Sequence, residues 1–508
     1  MKKYSLDEIN SDVQLLEKIK EVDGSGSGLD ADLVQGRAGA QLSGKRTITK
    51  MCTGHGEMLF LVDGEVWGSN HDGSSYENNL VALSNSADGT PTRGLATSES
   101  MIKIRFPASA GAIKDIVIGG HSAYALDDKN RLWTWGSNNL GALGLGHTTD
   151  VYLPTLSAID IKSLPQEVLS DNPLNSSHMI VEKLDGTYVG TGYNAYGQIG
   201  DGTTTDSNTW VAVTGLPENS KIVINTYQSM AYKDTLVFAA GRNNVGQLGD
   251  GTTDHLSDGF TDVTANWNPN GLTVLDMSHT SIRYDGDDAY NDQNAMVQLG
   301  NDTLSEVRVC GDNGYSQLLD ETTTNNSLPQ LVYSSSEPTT FVKQIKMEGT
   351  LGPFAILLES GDLYKWGYNG RGAGGSGSTD TLSSLTLVQQ DVEKILTRQR
   401  ASHQYSWYAS AFIKKTDGKT YASGYNSHGQ LGIGSATPVT SYTEVLGLPE
   451  ISDIQYMQSE LAGTAQVFLS EDNSHLFTSG YNGKYAITKQ TTGNFLSAIE
   501  LPFTRERG

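Results

Sequence analysis

The chain has 508 residues, with 35 Lys+Arg against 58 Asp+Glu for a formal net charge of −23. With 37% hydrophobic and 18% charged residues it carries enough apolar material for a core, which excludes a disordered polyelectrolyte. Its acidity argues against a nucleic-acid partner, which would need clustered Lys and Arg. Apolar runs such as Phe354 to Leu358 fall far short of the roughly 20 residues that cross a bilayer, so no membrane insertion is expected.

In chain order, the first element predicted is a helix. Ser5-Leu6-Asp7-Glu8 fits a capping box, in which the serine hydroxyl and the glutamate carboxylate each satisfy a free backbone N–H at the helix start. Leu6, Ile9, Val13 and Leu16 then fall on one stripe, widened by Leu15 and Ile19. A helix of about four turns is marginal alone in water, so this stripe needs a partner, either the rest of its own chain or another chain. Val22 to Gly28 reads as a flexible Gly/Ser linker, which separates the helix from the rest of the chain.

The linker runs into Leu29-Asp30-Ala31-Asp32-Leu33-Val34-Gln35-Gly36. The whole phrase resembles a Gly-Ser-Gly-Leu-Asp-Ala-Asp-Leu-Leu-Asp-Gly word of bacteriophage tail fibre and tail-tip proteins, departing from it at Val34-Gln35. The resemblance implies that residues 1–44 form an attachment and oligomerisation segment. On that reading Leu6, Ile9, Val13, Leu16, Ile19, Leu29 and Leu33 dock to other virion tail proteins or to sister chains, with a homotrimer expected. No secretory signal core succeeds the basic start. The two cysteines, Cys52 and Cys310, provide neither a disulfide framework nor a zinc ribbon, so assembly in the host cytoplasm is expected.

From about residue 45 the chain repeats. The phrase Gly-x-Asn recurs at Gly68, Gly136, Gly192, Gly241, Gly311, Gly367, Gly424 and Gly480, with spacings of 68, 56, 49, 70, 56, 57 and 56. Each copy comes after two short apolar strands around a tight turn, as in Leu59-Phe60-Leu61-Val62-Asp63-Gly64-Glu65-Val66-Trp67-Gly68. Asp-Gly between apolar runs signals a hairpin because both turn positions accept positive φ. Downstream comes a second glycine-rich turn, as in Asn243-Asn244-Val245-Gly246-Gln247-Leu248-Gly249-Asp250-Gly251. Its lone Leu or Ile is expected to plug the core between neighbouring sheets.

These residues, with Trp135-Gly136-Ser137-Asn138-Asn139-Leu140-Gly141-Ala142-Leu143-Gly144, resemble the regulator of chromosome condensation repeat family over roughly residues 45 to 503. The resemblance implies an all-β fold over 45–508: a closed β-propeller of seven or eight four-stranded blades, an architecture that protects its sheet edges. The closing strand, Ala498 to Phe503, is expected to complete the first blade. The long interval carrying Trp267 to Asn301 reads as an insertion on a binding face.

No nucleophile elbow, phosphate loop or metalloprotease helix is present, so the chain is not expected to be an enzyme or to need a cofactor. No metal site is expected either. The one calcium candidate, Asp285, Asp287 and Asp288, has hard oxygen ligands but lacks the ligand spacing of an EF-hand, and a solvated acidic loop is the competing reading. Tyr193, Tyr368, Tyr425 and Tyr481 occupy the variable place of Gly-x-Asn, and Tyr284 and Tyr290 lie in the long interval. Tyrosines on loops suit sugar or protein recognition, and these could equally stack between blades. The expected function is a virion structural protein, a tail fibre or tail-tip adhesin whose propeller recognises a host cell-surface receptor. The alternatives are a guanine nucleotide exchange factor-like repeat protein and a polysaccharide-degrading tail enzyme.

Overall fold

The structure is a computed structural model that describes residues 46–54, 57–70, 102–169, 177–280, 293–348, 352–397, 409–459, 463–480 and 494–501. The expected helix with Leu6, Ile9, Val13, Leu16 and Ile19, the Leu29 and Leu33 word, Tyr284, Tyr290, Tyr481, and Asp285, Asp287 and Asp288 lie outside the described residues.

The described fold is all-β apart from one short α-helix, Thr264–Trp267, and a 3₁₀ turn, Pro338–Thr340. Strands in the middle of each sheet are buried on both faces. Ser122–Asp127, Phe354–Leu358 and Asn294–Gly300 have every residue buried, which is why they read as near-continuous apolar runs. The last strand of a sheet, such as Ser207–Ala212 or Val439–Glu444, is only half covered and is correspondingly rich in Ser, Thr and Asn. The first hairpin turn takes the form its Asp-Gly implies, with Asp63 at φ 51° and Gly64 at φ 80°.

The sheets form a closed ring, as the packing between them shows. One apolar cluster joins Leu59 and Leu61 to Ile116 and Trp133. Further clusters join Val117 to Ile222, Val223 to Met277, Val309 to Ile356, Leu357 to Ile413, and Phe412 to Phe468. The last sheet returns to the first through Ala465, Val467 and Leu469 against Met58, Phe60 and Trp67. Ile48 N also donates to Asn473 O at 2.7 Å.

Three expectations are corrected. The seven or eight four-stranded blades are not formed: among the described residues, five sheets have four strands, one has five and one has seven. The reason is the 13-residue strand Val151–Ser163. Its first part pairs with Arg131–Gly136 and its end with Glu182 and Lys183, so two repeats share one hydrogen-bonded sheet. Glu167–Leu169 then adds in parallel to Lys221–Asn225 of the next sheet. Second, the closing strand Phe495–Leu501 pairs with Leu476–Gly480 and completes the last sheet, not the first; the ring closes by side-chain packing. Third, the Trp267 to Asn301 interval is not a plain insertion, because Thr273–His279 and Asn294–Gly300 are regular strands of one four-stranded sheet.

Candidate recognition face

In the described repeat loops the anchors place one set of side chains at the same end of the sheets. Gly136, Gly192, Gly241, Gly311 and Gly424 each pair with the first residue of the preceding strand and with the first residue of the succeeding one. The Gly-x-Asn loop therefore always leaves the same end. Gly241 shows why the anchor has no side chain: its φ is +107°, and a Cβ would lie 2.5 Å from Tyr227 O.

The asparagine of the phrase holds the loop. Asn243 is fully buried. Its Oδ1 accepts from Leu248 N at 2.8 Å, and its Nδ2 donates to Asp250 Oδ1 at 2.8 Å and Thr252 O at 3.1 Å. Asn194 and Asn313 make the same bonds to Ile199 and Thr203 and to Leu318 and Thr322. The glutamine of the loop fixes the next position, with Gln198, Gln317 and Gln430 accepting from the backbone N of Tyr196, Tyr315 and His428. The loop then rests on the next repeat: Gly251 N donates to Ser327 O, Gly146 N to Asn208 O and Gly434 N to Leu496 O. These described loops thus meet the same end of their neighbours and build one face of the ring.

The rings on this face come from the variable residue of Gly-x-Asn and from the residue three positions later in several described loops. Tyr193 and Tyr196 meet Tyr227 of the next sheet edge-to-face at centroid distances of 5.8 and 5.4 Å, and each other at 6.3 Å. The Arg242 guanidinium lies 5.4 Å from the Tyr196 ring and 5.6 Å from the Tyr227 ring, and His255 meets Tyr196 edge-on at 5.0 Å. Farther round, Tyr315 and Tyr368 of neighbouring repeats tilt together at 4.7 Å, and Tyr425 lies 6.3 Å from His428. Tyr193, Tyr368 and Tyr425 are all half-buried.

Of the tyrosines singled out from the sequence, the described Tyr193, Tyr368 and Tyr425 therefore fall in three separate clusters on one face, not in one site. The stacking residues Tyr196, Tyr227, Arg242 and Tyr315 escaped the sequence reading. The signal for Tyr196 and Tyr315 was available, since each sits three residues after the variable place. Tyr227 and Arg242 are brought together only by the packing of one sheet on the next.

Titratable groups near this face are largely structural. Burial holds the His178 imidazole down at about 3, so it is neutral, and its Nε2 lies 2.7 Å from Ser229 Oγ. Burial likewise pushes His279 down to about 4. Asp312 is raised by burial, although Gln317 Nε2 donates to it at 2.8 Å. Among the described residues, no group of three or more His, Cys, Asp or Glu is placed to hold a metal ion. No helix among them is long and apolar enough to cross a membrane.

A ring of antiparallel sheets built from one glycine-punctuated repeat defines an all-β propeller repeat protein. Residues 129–170 match the regulator of chromosome condensation (RCC1) repeat. The chain is 33% identical over 102 residues to the human X-linked retinitis pigmentosa GTPase regulator, a match covering 20% of this chain and 10% of that protein. It is 32% identical over 106 residues to human protein RCC2, covering 20% of each. The matched stretch thus spans only a tenth to a fifth of these relatives. Among solved structures, human WBSCR16 superposes with a TM-score of 0.51 at 16% identity, covering 77% of this chain and 95% of that one. At that identity the likeness concerns the fold alone.

Proposed function

We propose that the chain is a non-enzymatic recognition propeller that binds its partner through the anchor face. The observation that carries this reading is the set of half-buried tyrosines on one face, Tyr193, Tyr196, Tyr315, Tyr368 and Tyr425, with Arg242 stacked in the Tyr196 cluster. Rigid aromatic side chains held by a stiff loop give large contact area at low entropic cost. The finer reading is a bacteriophage tail adhesin displaying this face to a host-surface receptor, anchored by residues 1–44. Its support is the resemblance of the linker and Leu29 to Gly36 to tail fibre proteins, together with the acidic, display-like composition. In that setting several weakly binding copies act by avidity. A second reading, regulation of a small GTPase, is favoured by the match to a relative named as a GTPase regulator.

Binding of the purified chain to bacterial envelope glycans, measured beside nucleotide release from a panel of small GTPases, separates the two. For the adhesin, Tyr368→Ala and Tyr315→Ala each weaken envelope binding by roughly tenfold or more, as loss of a buried aromatic anchor does. Unchanged binding in both variants would exclude these tyrosines as the contact surface.

A further inference from the structure

Among the described repeat loops, one junction is built differently from the others. Five residues after the repeat asparagine, Leu143, Ile199, Leu248, Leu318 and Leu431 are all buried aliphatic plugs. After Asn369 that position is Gly374. The residue facing the plug, two before the anchor glycine, is small or apolar elsewhere: Thr134, Gly190, Ala239, Val309 and Ala422. Gly190 shows the contact, since a Cβ there would lie 2.7 Å from Ile199. In the odd repeat the facing residue is Lys365.

Lys365 is fully buried and so is its partner Glu348. Lys365 Nζ donates to Glu348 Oε2 at 2.5 Å and to Ala373 O at 2.9 Å. The remaining contacts come from the next sheet: Thr397 Oγ1 donates to Glu348 Oε1 at 3.1 Å, and the Tyr442 ring lies 5.3 Å from Nζ. Burial raises the Glu348 carboxyl and lowers the Lys365 ammonium, each toward its neutral form. A pair so placed gains little over apolar packing, because desolvation offsets the attraction, whereas leaving either partner alone is costly.

We infer that the Glu348–Lys365 pair is an ordering element, which makes the sheet carrying Phe354–Leu358 and the sheet carrying Ser410–Lys415 recognise each other during assembly of the ring. Elsewhere the loops are stapled by the same Asn and Gly contacts, so repeats can dock on the wrong neighbour, a characteristic failure of repeat proteins. A wrong neighbour would not supply Thr397 and Tyr442 together, would leave Glu348 and Lys365 short of partners in the interior, and so would be disfavoured.

The test uses the full chain and the variants Glu348→Met, Lys365→Met and the double variant, whose side chains keep the volume without the charges. Each single variant lowers the thermal midpoint by roughly 3–5 °C, and the double variant returns to within about 1 °C of the parent. After dilution from denaturant, however, the double variant recovers the parent's mass and near-ultraviolet spectrum with a yield at least about threefold lower. Parental refolding yield in the double variant would overturn the inference. So would a double variant as unstable as the singles, or one that does not fold, since the pair would then act through stability and not through order.

Discussion

Asn243 shows how one side chain can define a repeat. Its amide faces a backbone N–H, a carboxylate and a carbonyl at once, and it is sealed from water. Asn243→Ala strips these partners and leaves Leu248 N unpaired in the interior. The expected loss is about 1–3 kcal/mol, read by chemical denaturation of the full chain. Asp127 is the charged counterpart. Burial alone would raise its carboxyl, but bonds from Arg131 Nη2 at 2.7 Å, Trp133 Nε1 at 3.0 Å and the Arg131 backbone outweigh it and hold the group well below the usual carboxylate range. A carboxylate depressed on folding stabilises the native state above its unfolded value, near 3.9, and that contribution is lost as pH falls through and below it. Asp127→Asn therefore costs roughly 3 kcal/mol at pH 7, and the gap to the parent narrows toward pH 2 in denaturation curves recorded across pH.

At the scale of the element, the glycine-rich loop is a docking device as much as a turn. A Cβ on Gly246 would come within 2.3 Å of Ser327 Cα, at a φ of +81°. The loop therefore lies backbone against backbone on the next sheet, and Leu248 drops into the core behind it. Gly246→Val should lift the loop off the strand Asn326–Ser335. Amide exchange should then quicken at Gly251, whose N–H donates to Ser327 O, while Gly202 in the preceding loop stays at parental rates. The long strand Val151–Ser163 is a second lesson at this scale. Nothing local in its sequence marks where one sheet hands over to the next, since the handover depends on which neighbour its end meets.

For the whole molecule, closure is the decisive feature. The first and last sheets join through Met58, Phe60 and Trp67 against Val467 and Leu469, and Thr53 Oγ1 reaches Gln455 Oε1 across 402 positions of chain. Val467→Asp buries an unpaired charge in that seam, which costs several kcal/mol. Deuterium uptake should rise in Ile48–Thr53 and Ile451–Ser459 on both sides of the seam, with Lys221–Asn225 across the ring protected as in the parent. Equal loss of protection everywhere would mean that the ring unfolds as one unit and that the seam has no local weakness.

The repeat, its strands, its hairpin turns and the burial of its plugs are written in the order of the amino acids. These arise from short-range rules: which residues tolerate positive φ, which alternate, and which satisfy their own loop. Tertiary structure alone decided how strands are shared among sheets, which sheet the closing strand joins, and which aromatic rings meet on the anchor face. It also revealed that Lys365 faces Glu348. Each of these rests on contacts between residues distant in the chain, whose energies depend on distance and exposure, quantities that spacing along a sequence does not carry.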